Sequence, residues 1–108
     1  MIVTTSSSVA GKKVVKTFGI VRGNTVRARH IGKDILAGFK TIVGGEIEEY
    51  TKLMAESRDQ SVDRMLADAE QLGANAILDT RFSTSFIMQS AAEILVYGTA
   101  VLLEDEVK

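Results

Sequence analysis

The stretch that most constrains this chain is residues 44–77, GGEIEEYTKLMAESRDQSVDRMLADAEQLGANAI. Ile47, Tyr50, Met54, Ser57, Ser61, Met65, Ala69 and Leu72 recur at intervals of three and four, the spacing that places side chains on one helix face. Glu46, Glu48 and Glu49 fall in the first turn, where unpaired backbone N–H groups and the positive end of the dipole favour carboxylates. Gly73, just past Leu72, suits the left-handed residue that closes a helix. Glu48 and Lys52 form a favourable pair four apart on the outward side, whereas Asp59 and Asp63 at the same spacing repel weakly. The pattern predicts one long amphipathic helix, entered through the Gly44-Gly45 hinge and followed by a strand. Its apolar stripe needs a surface to cover it.

Arg58 interrupts that stripe. At about 100° per residue it projects between Met54 and Met65, beside the small Ser57 and Ser61. A guanidinium in that position must reach solvent or meet a carboxylate, because an unpaired buried charge costs several kcal/mol. Two readings stay open: a satisfied structural arginine, or a contact to a ligand or a second subunit.

The remaining chain reads as sheet. Residues 1–5 are short, apolar and β-branched, suited to a brief strand at a sheet margin. Ser6, Ser7, Ser8 and Gly11 make a polar loop. Residues 12–28 favour a long strand, with Val14, Phe18 and Ile20 near one register and Val15 and Val21 on the other. Gly19 reads as a bulge or a close backbone approach, and Gly23-Asn24 as a tight turn or second bulge. Ile31, Ile35, Phe39 and Ile42 have helical spacing and predict a short first helix. In residues 75–88, Ala76, Leu78, Phe82, Phe86 and Met88 alternate with Asp79, Arg81, Ser83 and Ser85, a half-buried strand. Residues 89–91 suit a turn. The final strand is apolar on both faces, Ala92, Ile94, Val96, Ala100 and Leu102 on one and Leu95, Tyr97, Val101 and Leu103 on the other. It should pair with its predecessor as an antiparallel hairpin. Residues 104–108 read as a frayed charged tail. The order is β-β-α-α-β-β in a single domain, 1–108, of α+β class: a mainly antiparallel sheet with one short and one long helix packed on it. One helix layer cannot cover both faces of the last strand, so the second face should meet another subunit.

Charge and residue usage narrow the chemistry. A net charge of −1 offers nucleic acid or an anionic membrane no overall positive field, so neither is expected as a partner. Absence of cysteine removes disulfides, thiolate nucleophiles and cysteine-ligated metals. The N-terminal residues lack the charged and apolar regions of a signal peptide, and no run reaches membrane-spanning length, which predicts a cytoplasmic protein. His30 sits beside Arg29 and Lys33, with no partner base or nucleophile assignable, and reads as structural. Glu46, Glu48 and Glu49 match no calcium-loop spacing. Arg22, Arg27, Arg29, Lys33 and Lys40 could line a local anion-binding strip, but without the interleaved aromatics of a base-stacking surface they read as solvated charge. No catalytic residue, metal ligand or cofactor is assigned.

Several pieces, in order and spacing, resemble the YbjQ-like family of small bacterial and archaeal proteins labelled heavy-metal-binding. They are Gly44-Gly45-Glu46, Tyr50, Arg58, the Leu72-Gly73-Ala74-Asn75-Ala76 turn, and Tyr97-Gly98-Thr99-Ala100-Val101, together with Thr4-Thr5, Gly19 and Gly23. The resemblance implies a dodecin-like subunit assembling as a homopentameric ring, and no established activity. Two departures stand out: serines follow the N-terminal threonines where the family often has proline, and Asp79 stands where it often has glycine. The metal label sits poorly with a chain offering no cysteine and one histidine, since soft metals prefer thiolate and imidazole.

The reading favoured is a non-enzymatic homo-oligomeric binding or scaffold protein. The alternative is an enzyme or small-anion binder whose pocket lies at a subunit boundary, with Gly44, Gly45, Glu46, Tyr50 and Arg58 as candidate ligand or subunit contacts. Metal-ion binding ranks third.

Overall fold

The structure, a computed structural model, describes residues 1–28, 48–88 and 91–107, with backbone only at 28, 48–51, 87 and 88. Its elements are β1 (Ile2–Val3), β2 (Lys12–Ala28), α1 (Glu48–Leu72), β3 (Ala76–Met88) and β4 (Ala91–Asp105). The strands form one sheet in the order β1-β3-β4-β2. β4 pairs antiparallel with both β2 and β3, while β1 runs parallel to the start of β3, so the sheet is mixed. Gly44, Gly45, Glu46 and the expected short helix carrying Ile31, Ile35, Phe39 and Ile42 lie outside the described residues.

The long helix forms as its spacing requires. Gly73 takes φ 88, its N–H donates to the Glu70 carbonyl, and the Ala74 N–H donates to the Ala69 carbonyl. These two bonds are the Schellman closure that satisfies last-turn carbonyls. The buried row is Ser57, Ser61, Met65 and Ala69, each 0% exposed. Leu72, expected to complete the stripe, is exposed at the helix end. Arg58 is also exposed, contrary to its expected place in the stripe. Successive positions of an i, i+4 row rotate by about 40° around a straight helix, so the buried stripe slants across α1. At the level of Arg58 that stripe lies over Ser57, about 100° away.

The helix runs antiparallel to β2 and covers β2 and β4 with Val21, Met65, Ala69, Ile77, Val96 and Ala100 as the core beneath it. Phe18, Val62, Leu66 and Ala74 close the margins of that core. A Cβ on Gly23 would lie 2.0 Å from the Ser61 carbonyl oxygen and 2.5 Å from the Met65 nitrogen. Gly23 is therefore neither a turn nor a bulge; β2 runs straight through it, opposite Val96, and the missing side chain lets the helix backbone touch the strand. The bulge expected at Gly19 is present, with φ 112 and a register shift between Thr17 and Gly19. It separates two residues expected to share a face: Phe18 packs on the core, whereas Ile20 is 79% exposed.

A second shift reorganises β3. Leu78 lies opposite Thr99 and Arg81 opposite Tyr97, three steps on one strand against two on the other. Asp79 supplies the extra residue at φ 54, a left-handed conformation that Asp tolerates better than most side chains. Ser7 Oγ donates to its carboxylate at 2.8 Å, and its own N–H donates to the Ser6 carbonyl. The alternation expected along this strand is consequently broken. Ala76 and Leu78 face away from α1, while Phe82 and Phe86, paired with Val96 and Ala92, belong to the helix side of the sheet.

The two-faced final strand is present at the centre of the sheet. Part of its second face is covered within the chain, since Ala76, Leu78, Val101 and Leu103 form a small core closed by Val9 of the N-terminal loop. The end of β4 is not frayed through Asp105, which pairs with Lys12 across the ladder.

Candidate functional site

The described polar residues gather where α1 crosses β2. Alternation on β2 directs Val21, Thr25 and Arg27 toward the helix, and the i, i+4 serines of α1 meet them. Thr25 Oγ1 and Ser61 Oγ are 2.8 Å apart in a buried hydrogen bond. Ser61 Oγ lies 2.8 Å from the Ser57 carbonyl and 3.1 Å from the Ile94 carbonyl. One consistent assignment has Thr25 donating to Ser61, which in turn donates to a carbonyl. Ser57 Oγ donates to the Leu53 carbonyl and accepts from Arg27 Nε at 3.0 Å, while Arg27 Nη2 donates to Gln60 Oε1 at 2.7 Å. The serine protons are thus spent on backbone oxygens. Among the described residues, neither hydroxyl faces a base that would make it a nucleophile.

Farther along, α1 reaches over the outer edge of β2. Arg64 Nη1 donates to the Asn24 carbonyl at 2.6 Å, and the Arg22 N–H donates to Asp68 Oδ2 at 3.4 Å. Around this clasp lies an open groove of about 520 Å³, lined by Arg22, Asn24, Arg64, Ala67, Asp68 and Gln71. Two guanidiniums and one carboxylate give it a mixed, mildly basic lining. Asn24 Nδ2 is directed away from it, to Glu93 Oε2 at 3.2 Å.

Of the residues singled out in the sequence, Arg58 is solvent-facing on α1 and takes no part in this cluster. Tyr50 lies on the α1 backbone, and Gly44, Gly45, Glu46, His30, Arg29, Lys33 and Lys40 lie outside the described residues. Arg22 and Arg27 of the basic strip are described, and both serve the helix–strand contact. Thr25, Gln60 and Arg64 were not singled out. Their signal was the serine pair four apart on α1, which marks a polar seam and asks for a hydroxyl or guanidinium on the facing strand.

Elsewhere, the Lys12 ammonium beside Asp105 holds that exposed carboxyl below its ordinary range through a hydrogen bond and charge attraction. Among the described residues, no group of three or more His, Cys, Asp or Glu side chains is placed to hold a metal ion. With no cysteine in the chain, the described donor set does not fit a soft metal. No helix among the described residues is long and apolar enough to cross a membrane.

A family described as "putative heavy-metal-binding", YbjQ, matches residues 1–104. The chain belongs to this family. A UPF0145 protein of Dehalococcoides mccartyi is 58% identical over 104 residues, covering 96% of this chain and 100% of its own length. Another, from Methanosarcina acetivorans, is 50% identical over 101 residues, with 94% and 95% covered. Among solved structures, a protein of unknown function from Pediococcus pentosaceus, assigned to the DUF74 family, superposes with a TM-score of 0.67. It is 15% identical and covers 96% of this chain and 98% of its own, a likeness of fold alone. The YbjQ resemblance drawn from Gly44-Gly45-Glu46 through Tyr97-Gly98-Thr99 therefore holds over nearly the whole chain. The family's metal label finds no matching donor cluster among the described side chains.

Proposed function

We propose that this YbjQ-family protein is a cytoplasmic, non-enzymatic binding or scaffold protein that assembles as a homo-oligomer, a five-membered ring, through the sheet face turned away from α1. The observation that carries this reading is the set of exposed apolar side chains which that face carries alongside Arg22, Asn24 and Glu93. Ile20 is 79% exposed, Val26 52% and Tyr97 40%, on adjacent strands with half-buried Leu95 among them. Apolar residues clustered on one sheet face favour burial against a partner, at roughly 25 cal/mol per Å² removed from water. The extents of 61 × 25 × 16 Å and the radius of gyration of 18.0 Å agree with this, since a self-contained domain of this length measures about 13 Å. Sedimentation velocity and native mass spectrometry should give a multiple of the 11.7 kDa subunit, five for the ring, and Ile20→Glu should shift it toward monomer. A monomer at micromolar concentration overturns the proposal.

The alternative is a small-anion or enzyme pocket at a subunit boundary near Gly44, Gly45, Glu46, Tyr50 and Arg58. One observation favours it: the Arg58 guanidinium is exposed on α1 and accessible to an anion or a neighbouring copy. A phosphate-induced rise in melting temperature that disappears in Arg58→Ala supports it, and an identical rise in both proteins removes it.

A further inference from the structure

The outer edge of β3 carries a palindrome. Residues 82–86 read Phe-Ser-Thr-Ser-Phe, centred on Thr84. β1 and the N-terminal loop occupy the start of this edge, where Ile2 and Val3 pair with Ala76 and Ile77 and the Thr80 N–H donates to the Thr4 carbonyl. Beyond Arg81, no described backbone group pairs with the outer side of the strand. Ser83, Thr84 and Ser85 are exposed, as are Phe82 at 51% and Phe86 at 79%.

We infer that this edge pairs with the same edge of a second copy, antiparallel about a two-fold axis through Thr84. The inference deepens the assembly reading and rests on it. Antiparallel pairing about Thr84 sets Phe82 opposite Phe86 of the other copy, Ser83 opposite Ser85, and Thr84 opposite itself. Every position meets a like residue. Two Phe82–Phe86 pairs then flank a Thr84 pair on the helix side of the joined sheet, and the hydroxyls of Ser83 and Ser85 line the other side. No charge stands between residues 82 and 86 to oppose the pairing, whereas natural edges that avoid association carry charged or kinking residues. The contact is self-complementary, as a two-fold interface requires. Contacts around a five-membered ring are head-to-tail, so this junction links one ring to another.

The chain's lack of cysteine makes the test direct. Thr84→Cys places a thiol opposite its own copy, within the Cα separation a disulfide spans. Ser83→Cys sets the two thiols on a diagonal, and Asp59→Cys puts one on the outward side of α1. After mild oxidation with diamide, Thr84→Cys should give at least about five-fold more covalent dimer on a non-reducing gel than either control. Adding Phe82→Ser and Phe86→Ser, exposed changes that leave the subunit core intact, should reduce that dimer about ten-fold while circular dichroism still reports a folded chain. Dimer from Thr84→Cys no greater than from Asp59→Cys overturns the inference. If wild-type protein is then still oligomeric by native mass spectrometry, the assembly reading stands and only this junction falls; if it is monomeric, both fall.

Discussion

β2 and the outer half of β3 are both edge strands of the same sheet, and they are treated in opposite ways. β2 carries Lys12, Lys13, Lys16, Arg22 and Arg27, so two copies of it would bring like charges together. Its middle is also engaged from above, where Arg64 and Asp68 of α1 bond the Asn24 carbonyl and the Arg22 N–H. Side chains in place of a strand satisfy the outward backbone groups, which removes the template for further pairing. Beyond Arg81, β3 has neither protection among the described residues. Its residues 82–86 are uncharged, exposed and symmetric in sequence. The helix decides the difference, because α1 lies over β2, β4 and Ile77 of β3 and, among the described residues, Phe82 and Phe86 stay exposed on the same face.

The comparison can be broken first at Gly23. Gly23→Ala would put a Cβ inside the helix backbone at Ser61 and Met65, where no side-chain rotation relieves the clash. α1 must then lift from β2, at an expected cost of about 3 kcal/mol or more in urea unfolding. An unchanged midpoint would mean that the helix does not rest on the strand. The β3 edge can be tested next through its register. Asp79→Ala loses the Ser7 hydrogen bond and leaves a side chain less tolerant of φ 54, and should cost about 1 kcal/mol. Asp79→Gly, which loses the same bond but relaxes the backbone, should stay within about 0.5 kcal/mol of wild type by the same assay. The clasp gives the smallest effect on stability. Arg64→Ala combined with Asp68→Ala, both exposed, should cost about 0.5 to 1 kcal/mol. If the clasp shields the β2 edge, the double variant should also aggregate faster on prolonged incubation, followed by light scattering. Equal rates would show that the basic residues of β2 guard that edge unaided.

How much was legible in the sequence depended on the range of the interaction. The α1 seam through Ser57, Ser61, Met65 and Ala69, the Gly73 closure, the Gly19 bulge and the two-faced β4 all follow from local spacing, and all are present. Face assignments failed wherever an extra residue entered a strand. Strict period-two reasoning put Phe82 with Leu78 and Phe18 with Ile20, and each pair is separated by a bulge. Asp79 stands where the family often has glycine, and there it supplies the left-handed residue of the β3 bulge. Arg58 was misplaced for a related reason. An average stripe drawn on a helical wheel ignores the slant that the stripe acquires when the helix crosses strands at an angle. Of the candidate site, the sequence named Arg22 and Arg27 but not the helix residues that meet them, because contacts between Arg27 and Ser57 or Arg64 and Asn24 span 30 and 40 positions.

By itself the sequence determined the long helix, the strands, the α+β class and the family, because hydrophobic period, caps and ordered motifs are local properties of the chain. Only the tertiary structure decided that Gly23 lies beneath the helix backbone, that Val9 closes one end of the second sheet face, and that β2 is a shielded edge while the outer half of β3 is, among the described residues, an open one. Those outcomes depend on which strands become neighbours and where a single helix comes to lie, and period carries no information about either.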